Sequence, residues 1–169
     1  MKSKRQTYQE RAKKLAKTID IADIIVKKSK FLDEKTRDHF VNWGQELKKL
    51  ALNPEPQFKK IASLKYLEND FLIYWNEADG KDIEDFWIEV YQNGIDFQRK
   101  DSIQAVLKRK RIKDIHEFDN VIDNMVVAEQ IGRLNKEQVI ELNKMIAEFE
   151  KKHSEINLLQ KNKKTNQRN

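Results

Sequence analysis

The sequence predicts an all-α fold: a single compact bundle of about six to seven helices joined by short connections, over residues 1–160, with a basic disordered tail at 161–169. Three observations predict it. Apolar residues recur at helical spacing through nearly the whole chain. The 169 residues hold only four Gly and two Pro, too few to punctuate a many-stranded sandwich or barrel. Side chains that cap helix starts stand just ahead of several of the apolar stripes.

The first helix spans about residues 5–29, on the stripe Tyr8, Ala12, Leu15, Ile19, Ala22 and Val26. Ile21, Ile24 and Ile25 widen its apolar face. Asp33 is the expected N-cap of a second helix, to about residue 52, on Phe40, Trp43, Leu47, Leu50 and Ala51. Gly44 lies inside it, where glycine costs about 1 kcal/mol against alanine, so close helix packing is its expected reason. Asn53-Pro54-Glu55-Pro56 is the clearest loop.

A third helix follows, from about 57 to 78, on Phe58, Ile61, Leu64, Leu67, Phe71, Tyr74 and Trp75. Asp79-Gly80 stops it. Asp82 and Asp85 resemble a capping pair for a short helix at about 83–92, closed by Asn93-Gly94. A short extended piece around Ile95 and Phe97 fits the next linker. Asp101 with Gln104 opens a helix to about Lys110, and Asp114 with Glu117 opens one to about Ile131. Asn135 with Gln138 caps the last, over about 136–160. A single domain is expected; the alternative, two lobes, would split near Pro54–Pro56 or Gly80. The nine residues at 161–169 contain no apolar side chain.

Composition excludes several chemistries. There is no cysteine, hence no disulfide, thiol nucleophile or thiolate metal site. No glycine-rich phosphate loop and no G-x-S-x-G is present. The histidines, His39, His116 and His153, are far apart. Glu150 with His153 is half of a di-iron ligand set that lacks its second half, so a packed histidine is the expected role. A calcium loop around Gly80 fails, because Trp75 and Phe86 would fall on ligand positions. No metal, cofactor or catalytic residue is assigned. Carboxylates are so abundant that their proximity in sequence says little about acid–base chemistry. No apolar run approaches the roughly 20 residues of a membrane span. A soluble, cytoplasmic protein is expected, and 26 Lys against 8 Arg suggests an AT-rich, bacterial genome.

Charge is arranged in blocks. Net charge is +6 overall, with +7 over residues 1–30, −7 over 61–98, +5 over 99–116 and −5 over 117–150. Opposite blocks either neutralise one another in the fold or offer distinct faces to partners.

Two functional readings follow. The first is a non-catalytic helical protein that binds a protein partner or itself. Aromatic and acidic residues concentrate between residues 71 and 92, and Ile88 falls opposite the apolar face of its helix, among acids. Trp75, Glu77, Glu84, Asp85 and Ile88 are its candidate binding residues. The alternative is non-specific contact with nucleic-acid phosphates through Arg99, Lys100, Lys108, Arg109, Lys110, Arg111 and Lys113. The spacing there resembles a helix-turn-helix, but Asp114, Glu117, Asp119 and Asp123 crowd the helix that would enter the groove and would repel phosphates. A basic helix end complementing its own dipole and neighbouring acids is the plainer account of that cluster.

Overall fold

The computed structural model describes residues 6–166, with side chains described to Ser154. Seven α-helices make up the described residues: α1 (Tyr8–Lys28), α2 (Glu34–Leu52), α3 (Ile61–Glu77), α4 (Lys81–Gln92), α5 (Ser102–Arg109), α6 (Ile115–Gln130) and α7 (Lys136–Asn166). A single 3-10 turn, Pro56–Phe58, stands between α2 and α3. No strand occurs among them, so the linker at 94–100 is irregular rather than extended, although Ile95 and Phe97 are buried as core residues. Among the described residues no helix is long and apolar enough to cross a membrane. The tail expected at 161–169 lies beyond the described side chains, and 167–169 lie outside the described residues altogether.

The chain divides into two compact units between Lys100 and Asp101, not near Pro54–Pro56 or Gly80. Each has its own apolar cluster. In the first, α1 packs against α2, α3 and α4. Leu15, Ile19, Leu64, Phe71, Trp75, Phe86 and Val90 are its fully enclosed centre. In the second, α5, α6 and α7 enclose Ile103, Val106, Val121 and Leu142. Phe118 and Phe149 stack there at 5.0 Å, and His153 stacks on Phe149 at 4.3 Å.

Local chemistry explains the helix starts. Thr7 and Glu10 form a reciprocal capping box on α1, which satisfies two of the backbone N–H groups that a helix start leaves free. Asp33, Asp101 and Asp114 cap α2, α5 and α6 as expected, each accepting from the backbone N–H three residues on. Asn135 and Gln138 exchange backbone bonds in the same way before α7. The capping pair expected at Asp82 and Asp85 is a correction. Helix α4 starts two residues earlier, at Lys81, with Gly80 as an N-cap that has no side chain. Asp82 instead accepts from the Ser29 hydroxyl at 2.5 Å, and Asp85 pairs with Lys81 one turn away. Gly94 ends α4 at φ 66°, a backbone state costly for residues with a Cβ, and the Ile95 N–H closes back on the Val90 carbonyl.

Gly44 is explained by packing, as anticipated. A Cβ there would sit 3.2 Å from Ile19 Cγ2 and 3.5 Å from Asp23 Oδ1, so any larger residue would make Ile19 give way where α1 and α2 cross. Asp23 is buried at that crossing and accepts from the Gln45 amide at 2.5 Å. Burial pushes its carboxyl above the ordinary 3.8, against the opposing pull of the Gln45 bond and of Lys27. The folded state therefore binds this proton more tightly than the unfolded chain does. Ionised Asp23 weakens the fold above both pKa values, and the penalty fades as pH falls through the folded value towards 3.8. Asp23→Asn should accordingly raise the melting temperature at neutral pH and lose that advantage below the ordinary carboxylate range. Melting curves across pH check this, and a benefit that grows in acid would refute it.

Candidate functional site

Ion pairs inside each unit join part of the opposed charge blocks. In the first, Arg11 of α1 grips Glu68 of α3, and Lys14 reaches Asp96 at 2.7 Å. Lys14 also lies over the Phe97 ring, 4.4 Å from its centre. In the second unit, Glu117 gathers the basic cluster. Arg109 pairs with it at 2.5 Å, Lys113 lies 3.7 Å from it and 3.1 Å from Asp114, and the Lys113 backbone N–H also donates to it.

This pairing rearranges the phosphate candidates. Arg109 bonds the Arg111 carbonyl besides Glu117, and Lys110, in the left-handed C-cap of α5, pairs with Glu141 of α7. Arg99 is nearly enclosed between Glu84, at 2.6 Å, and Asp79, at 3.3 Å. Lys100, Lys108 and Arg111 are exposed. The cluster therefore includes four cations already engaged by carboxylates: Arg99, Arg109, Lys110 and Lys113.

The aromatic-acidic candidates separate in the same way. Trp75 is fully buried, with its ring stacked 3.9 Å from that of Phe86, so it is a core residue and offers no surface to a partner. Glu84 and Asp85 are engaged by Arg99 and Lys81. Glu77 is exposed. Ile88 points outward as anticipated, at 50% exposure, with Tyr91 exposed one turn on.

A larger apolar surface lies where α2 gives way to α3, and the sequence reading missed it. Pro54 and Pro56 lack N–H groups and fix φ, so the chain cannot run straight from one helix into the next. It makes the 3-10 turn Pro56–Phe58 instead, and α3 begins only at Ile61. Phe58, expected on the core stripe of a helix from residue 57, is thereby left outside, at 54% exposure. Leu50, expected on the core stripe of α2, is exposed to the same degree, and Tyr66 stands at 78%.

These residues, with Tyr8, Pro54 and Leu67, line a groove of about 560 Å³, to which Lys49, Asn53, Glu55 and Ser63 add polar atoms. Tyr8 fixes its wall. The phenol donates to the Ala51 carbonyl at 3.0 Å, satisfying one of the last carbonyls of α2, and burial pushes its pKa up. A second recess, of about 480 Å³, adjoins it across Tyr8, Asn53 and Pro54, and is lined also by Gln9, Lys13 and Lys59. Lys13, Lys49 and Lys59 form no ion pair among the described residues.

Among the described residues no cluster of three or more His, Asp or Glu side chains is arranged to hold a metal ion. What the groove can do is bury apolar surface supplied from outside. The chain matches no known protein-family model, no curated protein and no solved structure.

Proposed function

We propose that this is a non-catalytic helical protein that acts in the cytoplasm by binding a protein partner, and that the groove between Leu50, Phe58 and Tyr66 is its binding surface. The observation that supports this is the exposure of three large apolar side chains around one concavity. Scattered exposed apolar residues are ordinary, whereas converging ones mark interaction sites. Covering these part-exposed side chains removes apolar area from water, which can give an interface its hot spot. The outward Ile88 and Tyr91 of α4 form a smaller second patch. Phosphate binding is the weaker reading, because Glu84, Glu117 and Glu141 already hold four of its seven cations.

A pull-down from the native host tests the proposal. Wild-type protein is expected to retain a protein partner after nuclease treatment. Phe58→Asp with Tyr66→Asp should release it while leaving the melting temperature nearly unchanged, since both side chains are exposed. A partner lost to nuclease would instead favour phosphate contact through Lys100, Lys108 and Arg111. A partner lost only in Ile88→Asp would move the site to α4.

A further inference from the structure

We infer that the occupant of this groove is an acidic amphipathic helix of the partner protein, with its apolar residues on Leu50, Phe58 and Tyr66 and its carboxylates on Lys13 and Lys59. This rests on the reading of the groove as a protein-binding surface. Two features carry it. An apolar recess and a cationic recess lie side by side and share Tyr8, Asn53 and Pro54. A ligand filling both must therefore present apolar side chains on one face and anionic ones on its flank. Lys13, Lys49 and Lys59 form no ion pair among the described residues. A partner's carboxylates would meet them without displacing an existing pair.

A helix fits better than an extended segment. A bound strand satisfies its backbone by pairing with a sheet edge, and no strand exists among the described residues. A helix satisfies its own backbone and lays residues at i, i+4 and i+7 into a groove. The α4 helix of a second copy is a poorer occupant. Its Ile83, Phe86, Trp87 and Val90 are committed to its own core, which leaves only Ile88 and Tyr91 to offer.

The probe is a synthetic helical peptide with leucine at i, i+4 and i+7 and glutamate on its flanks. Its twin has lysine for each glutamate. Each is titrated into the full chain while backbone amide resonances are followed. The acidic peptide should shift resonances of residues 49–53 and 58–67 and bind about tenfold or more tighter than its twin. Lys13→Glu with Lys59→Glu should reverse that preference with melting unchanged, both lysines being exposed.

Equal binding of the two peptides would overturn the acidic-helix inference and leave the groove reading standing. Shifts from neither peptide would overturn both. Groove shifts with sodium dodecanoate, where the acidic peptide gives none, would assign the site to a lipid anion. Groove shifts that appear on concentrating the protein alone, and vanish in Ile88→Asp, would assign it to a second copy. Either result overturns the inference.

Discussion

Trp75→Ala is expected to lower stability by about 3–5 kcal/mol, the usual cost of deleting a fully buried large aromatic side chain. Trp75 has no exposed surface, and Phe86 stacks on it at 3.9 Å, with Phe40 and Tyr74 packed edge-on at 6.3 and 5.3 Å. Any loss of partner binding in this variant should track the loss of fold. A stable Trp75→Ala protein that fails to bind would restore Trp75 to the interface.

The neighbouring tryptophan sharpens the test. The Trp87 indole N–H donates to the Trp75 carbonyl at 2.7 Å, tying α4 to the end of α3. The Trp75 indole N–H is buried and has no acceptor among the described residues. Substitution by Phe removes a satisfied donor at Trp87 and an orphaned one at Trp75. Trp87→Phe should therefore cost about 1 kcal/mol more than Trp75→Phe in chemical denaturation, the net worth of one buried hydrogen bond plus the exposed need of its acceptor. The reverse order would refute the assignment.

The second large effect concerns Arg11 and Glu68. The Glu68 side chain is only 5% exposed and accepts two bonds from the Arg11 guanidinium, whose own side chain is 24% exposed. Arg11→Met would leave a buried carboxylate without its partner, at a cost of about 3 kcal/mol, the low end for a broken buried pair because Arg11 is partly wet. Adding Glu68→Leu should recover most of that loss, because two packed apolar chains replace two desolvated charges. Urea denaturation of the wild type, both single variants and the double variant gives the cycle. If the double variant is as unstable as the sum of the singles, the pair contributes no coupling, and this account of how the 1–30 and 61–98 blocks join is wrong.

Much of this architecture follows from residue order alone. The 3.6-residue stripes place all seven helices, since a helix that must bury one face repeats its apolar residues at that interval whatever it packs against. Asp33, Asp101, Asp114 and Asn135 mark helix starts because a short polar side chain satisfies backbone donors locally. Gly44 announces a close contact for a comparable reason: an interior glycine is costly unless something sits where its Cβ would be. Charge blocks of opposite sign also announce that ion pairs are available.

Only the tertiary structure decided who pairs with whom and which apolar residues stay wet. Periodicity assigns a face, not a neighbour. Leu50 and Trp75 both stand at helical spacing, yet Trp75 meets Phe86 and is enclosed, while the proline turn after Leu50 leaves it facing a gap. Phe58 is left out because two prolines delay the start of α3, a backbone constraint that a hydrophobicity pattern does not register. Glu117 and Glu141 disarm the basic cluster through contacts of 4–8 and 31 residues in separation, of which only the shortest could be foreseen from helix geometry. The division at Lys100–Asp101 is of the same kind. No proline or glycine marks it, because it arises where two apolar clusters each close on themselves, and that closure depends on packing across the chain rather than along it.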